Sequence, residues 1–219
     1  MDALQLAHSI ELTKLAPATT RLDVTDLITK ARQRNCFGIC VNPVHIRFAA
    51  DLIARNGGDL KIISVVGFPL GANITMTKAI EASQAIADGA DEIDMVLNIG
   101  ALKWGDDRAV QEDIHYVVGA CHGIPLKVII ESAALTDEEI VRACHVAEDA
   151  GAQFVKTSTG THSNGGATVR AVQLIRKTVG DRLRIKASGG IRTGAAAREL
   201  IEAGATRIGA SDAKAILGT

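Results

Sequence analysis

The chain has 219 residues, a formal net charge of -1 and a pI of about 6.6, with 47% hydrophobic and 3% aromatic residues. That length supports one well-developed core and is short for two ordinary domains, so residues 1–219 read as one domain. The lack of net positive charge and the scarcity of aromatic rings disfavour a nucleic-acid partner, which asks for a basic face and stacking platforms.

In chain order, the start MDALQLAHSIEL has no basic segment followed by an apolar run, so it reads as a short N-terminal helix and not as a signal peptide. Strand-like runs then follow at residues 10–15 (IELTKL), 36–42 (CFGICVN), 61–68 (KIISVVGF) and 92–99 (EIDMVLNI). Four more lie at 126–132 (LKVIIES), 154–159 (FVKTST), 184–190 (RIKASGG) and 207–211 (RIGAS). Helical patterns fill the gaps, among them 76–88, 137–149 and 194–203. Thr136 followed by Glu139 is a helix-start signature. Parallel strands need crossovers, and eight βα units in this length predict an α/β fold, a (β/α)8 TIM barrel at the compact end of its range. An open doubly wound sheet is the alternative, but its Gly-rich dinucleotide turn is missing after the first strands.

An internal repeat supports the barrel. GADEID (89–94), GAQFVK (151–156) and GATRIG (204–209) each open with Gly-Ala. In each the glycine is expected to end a helix in a left-handed conformation just before a strand. In that register Asp94, Lys156 and Gly209 are equivalent and should sit at one height, facing one way. Lys186 lies on the strand after Lys156. Lys127 comes early in its strand and is expected near the bottom face, whereas Glu131 ends that strand and can reach the upper one.

An ordinary lysine is protonated at pH 7 and a poor nucleophile. Desolvation and a neighbouring cation both favour the neutral amine. A Lys156 amine beside Lys186 is therefore a candidate Schiff-base nucleophile, with Asp94 to offset charge and relay protons. A purely structural ion-pair network is the other reading of the same three residues. The Gly-rich turn SGGIRTG (188–194) and the stretch GASD (209–212) fall after strands 7 and 8, where barrels often seat phosphate. Tight turns that need glycine are the alternative there. Cys36, Cys40, Cys121 and Cys144 form no C-x-x-C pair and the six histidines show no metal spacing, so buried free thiols and no metal are expected. No stretch approaches the roughly 18 apolar residues of a membrane span, and a cytoplasmic protein is expected.

The stretches VVGFPLGAN (65–73), GADEIDMVLNIGALKWGD (89–106), LKVIIES, FVKTSTG (154–160), IKASGGIRT (185–193) and AGATRIGAS (203–211), with CVNP (40–43), closely resemble deoxyribose-phosphate aldolase over nearly the whole chain. The resemblance implies a class I aldolase on a TIM barrel. Such an enzyme reversibly cleaves 2-deoxy-D-ribose 5-phosphate to acetaldehyde and D-glyceraldehyde 3-phosphate, without metal or cofactor. It implies Lys156 as the Schiff-base lysine, Lys186 as the partner that depresses its pKa, and Asp94 as the relay. Glu11, Thr159, Gly160, Gly189, Gly190 and Ser211 fall in the implied substrate site. The implied partners are small aldehydes and sugar phosphates, and the implied assembly is a homodimer or homotetramer. Three departures stand out. Glu11 replaces an aspartate, Ser211-Asp212 replaces a serine pair and places a carboxylate by the expected phosphate seat, and the loop THSNGG (161–166) is unusual. These keep open an aldolase acting on non-phosphorylated aldehydes. A silent sugar-phosphate binder and an acid–base isomerase are further alternatives.

Overall fold

Eight parallel strands pair in sequence order and close on themselves: β1 (Ile10–Lys14), β2 (Gly38–Val41), β3 (Lys61–Val66), β4 (Glu92–Val96), β5 (Leu126–Ile129), β6 (Phe154–Lys156), β7 (Arg184–Ser188) and β8 (Arg207–Ala210). This computed structural model describes residues 1–218. A short helix α1 (Ala3–Ala7), closed by a capping box between Asp2 and Gln5, precedes the barrel. The outer helices include α2 (Arg21–Gln33), α3 (Ile46–Arg55), α4 (Thr75–Ala87), α5 (Ile99–Trp104), α6 (Asp107–Ala120), α7 (Asp137–Asp149), α8 (Val169–Val179), α9 (Gly194–Glu202) and α10 (Ala213–Leu217). The Thr136–Glu139 capping box forms as the sequence predicts. Every strand ends one to three residues before its expected end, and the loops after β3, β5 and β7 begin through positive φ at Gly67, Glu131 and Gly189.

The Gly-Ala repeat is a helix-stop device. Gly89, Gly151 and Gly204 have φ of 108°, 90° and 118°. In each case the following alanine amide reaches back five residues: Ala90 to Ala85, Ala152 to Ala147 and Ala205 to Leu200, at 2.9, 3.0 and 3.0 Å. That is the paired hydrogen-bond pattern of a helix ending on glycine. It launches β4, β6 and β8 in the same phase.

The register then stacks the interior in layers. From Cys40, partners run across Ile63 to Glu92, and two residues on stands Asp94. From Asp94 they run across Lys127 to Phe154, two residues below Lys156. From Lys156 they run across Lys186 to Arg207, two below Gly209, and from Gly209 across Glu11 to Gly38, two below Cys40. The ring closes after four climbs of two residues, the shear of eight that defines this barrel class. Cys40, Asp94, Lys156 and Gly209 therefore form one layer. Glu11, Ile63, Lys127 and Lys186 form the layer beneath it, and Gly38, Glu92, Phe154 and Arg207 the floor.

Branched apolar side chains ordinarily fill such layers. Here the apolar core lies instead between strands and helices, where Ile10, Leu12, Ile39, Val128, Val155, Ile185 and Ile208 are buried. Each such side chain contributes roughly 1.5–3 kcal/mol. Inside the barrel, Cys40, Ile63 and Val65 form a small apolar cluster, with the buried Phe154 ring on the floor.

One buried ion pair lies outside the barrel. Lys78 of α4 donates to Asp113 of α6 at 2.6 Å, both out of solvent. The Lys78 stem lies beneath Gly67, and Glu81 accepts the Gly67 amide at 2.7 Å. Helix α4 thus clamps the loop that carries Phe68 over the barrel mouth. Among the described residues, no helix is long and apolar enough to cross a membrane.

Candidate active site

A cavity of about 390 Å³ opens at the C-terminal ends of the strands. Lys156 forms its floor. Thr159, Gly160, Gly189, Gly190 and Ser211, all expected at the substrate site, line its walls, with Phe68 and Arg192 at the rim. Arg192 belongs to the SGGIRTG motif, yet the sequence reading assigns it no role. Its position, just past a Gly-Gly turn and before a helix, is the signal that could have found it. Lys156 and Arg192 are the charged side chains of this lining.

The two lysines meet at one oxygen. Lys156 and Lys186 are register partners, and their ammonium groups donate to Asp94 Oδ2 at 2.7 and 2.6 Å. Lys127 donates to the other oxygen, Oδ1, at 2.8 Å. This corrects the expectation that Lys127 belongs near the bottom face. Its backbone is low, but its four-carbon stem climbs one layer and carries the ammonium to Asp94.

Glu11 is a second correction. It is fully buried, does not line the cavity, and is committed to Lys186 and to Arg207, the latter at 2.9 Å. An inward residue of the layer below Lys156 has the ceiling of lysine side chains between it and any substrate. Asp212 is a third. Its carboxylate caps α10 by accepting the Ala215 amide at 3.1 Å and lines an outer pocket of mixed charge with Lys14, Asp23, Asp26, Lys30, Arg34 and Lys214. It stands behind Ser211 and not in the cavity. Glu131 also lies behind the wall, where it is buried and accepts the amide and hydroxyl of Thr159.

The electrostatics follow from this packing. Burial opposes charge on Asp94, but Lys127, Lys156 and Lys186 override it and hold its carboxyl well below the usual carboxylate range. Glu11 is held low against the same burial by Lys127 and Lys186. Burial likewise opposes charge on Lys186 and Lys127, yet their carboxylate neighbours raise both above the ordinary lysine value. Asp94 and Glu11 are therefore ionised, and Lys186 and Lys127 charged, throughout the physiological range.

Glu11, Cys40 and Asp94 offer ligand atoms within 4.8 Å of one another, the right scale for a metal. The Lys186 ammonium already donates to both of those carboxylates, and burial pushes the Cys40 thiol pKa up, so it keeps its proton. An ammonium thus takes the place a metal ion would need. All four cysteines are buried and free.

The cavity's far side is backbone. Gly189 and Gly190 have φ of 88° and 76°, a conformation that costs a side chain about 1–2 kcal/mol. A Cβ on Gly166 would meet the Gly189 carbonyl at 2.3 Å, so the THSNGG loop needs glycine to close against this turn. A Cβ on Gly209 would crowd Lys186 Cε at 3.2 Å. That glycine leaves room for the lysine ceiling.

Residues 6–217 match the DeoC/LacD family aldolase. A deoxyribose-phosphate aldolase of Bacillus cytotoxicus is 51% identical over 215 residues, which cover 98% of this chain and 95% of that one. One from Thermococcus kodakarensis is 49% identical, covering 96% and 95%. A solved deoxyribose phosphate aldolase from Aeropyrum pernix, described as a unique tetrameric structure, superposes with a TM-score of 0.92 at 31% identity, covering 99% and 91%. The chain belongs to the DeoC/LacD aldolase family.

Proposed function

We propose that this protein is a class I aldolase that reversibly cleaves 2-deoxy-D-ribose 5-phosphate to acetaldehyde and D-glyceraldehyde 3-phosphate, with Lys156 as the covalent nucleophile. One observation carries the assignment of the nucleophile: Lys156 is the lysine of the charged interior that lines the cavity, while Lys186 and Lys127 lie sealed beneath it. In the cleavage direction the Lys156 amine adds to the open-chain aldehyde, and loss of water gives a protonated imine. A base takes the proton from the C3 hydroxyl. The C2–C3 bond breaks, its electron pair moves into the imine to give an enamine, and glyceraldehyde 3-phosphate leaves. Protonation at C2 and hydrolysis release acetaldehyde and free the lysine. The iminium is the electron sink, so the chemistry asks for no metal or cofactor.

In this reading Asp94 holds charge and passes protons between Lys156 and a water. Lys186 supplies the permanent neighbouring cation that favours a neutral Lys156 amine. The Gly189–Gly190 turn, Ser211 and Arg192 seat the phosphate, and Thr159, held by Glu131, walls the sugar side. Because Asp212 faces outward, its charge does not compete for that seat. A cytoplasmic location and self-association, the latter supported by exposed Ile74, Met76, Ile80 and Tyr116, belong to the same proposal.

Acetaldehyde release from 2-deoxy-D-ribose 5-phosphate tests the reading. Wild-type activity is expected to survive a chelator and to disappear in Lys156→Ala. Comparing kcat/KM with plain 2-deoxyribose tests the phosphate seat. A preference of about a hundredfold or more for the phosphorylated sugar, near 2.7 kcal/mol, is expected. Equal values would contradict the seat.

A further inference from the structure

The charged interior has a closed form. Asp94 contacts Lys127 at 2.8 Å, Lys127 contacts Glu92 at 2.6 Å, and Glu92 contacts Arg207 at 3.4 Å. Arg207 contacts Glu11 at 2.9 Å, Glu11 contacts Lys186, and Lys186 returns to Asp94 at 2.6 Å. Three carboxylates and three cations alternate around this ring, which is neutral by itself. Lys156 hangs from it through Asp94 alone. The interior as a whole therefore carries four cations against three carboxylates. An unpaired charge in such surroundings is costly.

Glu92 and Arg207 sit on the floor, two residues below Asp94 and Gly209, and line no part of the cavity. Arg207 is held there by stacking, with its guanidinium carbon 3.4 Å from the Phe37 ring centre and 5.6 Å from that of Phe154. Nothing in the proposed reaction uses either residue.

We propose that Glu92 and Arg207 are positioning residues that set, from the barrel floor, the charge balance in which Lys156 works, and so fix where the acid limb of the pH–rate profile falls. The inference rests on the Schiff-base reading of Lys156. Among the interior neighbours of Lys156, strand β4 supplies Glu92 and Asp94, while β1, β5, β7 and β8 supply Glu11, Lys127, Lys186 and Arg207. From β2 comes the protonated Cys40, and β3 presents the apolar Ile63. Outside the ring, Arg192 faces Lys156 across the cavity, Glu131 is buried behind Thr159, and Arg184 stacks on Phe154 at 4.0 Å; all three are the same in every variant compared below, so the shifts report the ring residues.

The two floor residues carry opposite signs, so their removal has opposite consequences. Glu92→Gln leaves two excess cations inside, which favours release of the Lys156 proton. Arg207→Gln leaves cations and carboxylates equal, which favours keeping it. The test is the pH dependence of kcat/KM for 2-deoxy-D-ribose 5-phosphate in both variants and in the double variant. The acid limb is expected to move down by about half a pH unit or more in Glu92→Gln and up by a similar amount in Arg207→Gln. In the double variant it is expected to return close to wild type. A purely structural ring predicts lower rates without opposed shifts. Unmoved limbs, or limbs that move the same way, overturn the proposal. If Glu92→Gln does not fold, Arg207→Met carries the test, and absence of an upward shift is decisive. Borohydride labelling of Lys156 in the same preparations separates the two claims. Labelled enzyme with unmoved limbs defeats only this inference, whereas unlabelled wild type defeats the functional reading beneath it.

Discussion

The sealed middle layer of the barrel and the barrel mouth use the same residue type to different ends. In the layer above the floor, Lys127 and Lys186 each touch two or more carboxylates and lie wholly out of water. At the mouth, Lys156 touches one carboxylate and faces a cavity. The number of carboxylates around a lysine, and not burial alone, separates a permanent cation from a candidate nucleophile. All three lysines are nearly inaccessible, so exposure would not tell them apart.

The contrast is broken most directly at Asp94, the residue both regions share. Asp94→Asn leaves four cations against two carboxylates and removes the relay. A fall in kcat of about 10²–10⁴-fold is expected in steady-state cleavage assays. A change of less than tenfold would show that the mouth works without the ring.

A second break lies outside the barrel. Lys78→Met leaves Asp113 buried and unpaired and is expected to destabilise the fold by about 3–5 kcal/mol, read by denaturant unfolding. Lys78→Met/Asp113→Leu should recover most of that loss. If the single substitution is as stable as wild type, the pair is not holding α4 to α6.

The pH dependence of stability sharpens the comparison. Unfolded, Glu11 and Asp94 titrate near 4.5 and 3.8, and folded they titrate lower. Their stabilisation is present above those unfolded values and is lost as pH falls through the folded ones. The buried thiols have the opposite sign. Burial pushes Cys36 up to about 11 and Cys121 and Cys144 up to about 12 from 9.0, so their contribution is complete below pH 9.0 and is lost above it. The Tm is therefore expected to be flat between about pH 5 and pH 9 and to fall on both sides. Scanning calorimetry across that range checks it. A Tm that rises on acidification below pH 4 would contradict the ring's charge assignment.

The smallest effect belongs to the mouth. Gly190→Ala strains a left-handed turn and displaces its amides, so KM for the phosphorylated sugar should rise by about tenfold with kcat little changed. A selective loss of kcat would move Gly190 from the phosphate seat to the chemistry.

Much of this was legible in the sequence, for a physical reason. A Gly-Ala pair that ends a helix in one fixed way starts the next strand in one fixed phase. Counting five residues from Gly89 and Gly151 therefore put Asp94 and Lys156 in one layer. What stayed hidden depends on side-chain reach. Lys127 starts low on β5 and climbs, while Glu11 points inward but stops beneath the lysines. Glu92 and Arg207 read as ordinary charges at strand starts, because a ring that closes across five strands leaves no local spacing. Asp212 was placed by its neighbour in sequence, and the geometry of the α10 cap turned it away.

The central claim, that Lys156 is the amine that bonds to substrate, is tested most directly by borohydride reduction in the presence of acetaldehyde, followed by peptide mass mapping. The expected result is a single adduct on Lys156, absent in Lys156→Ala, with Lys127 and Lys186 unmodified. An adduct on Lys186, or active enzyme that forms no adduct at all, would contradict it.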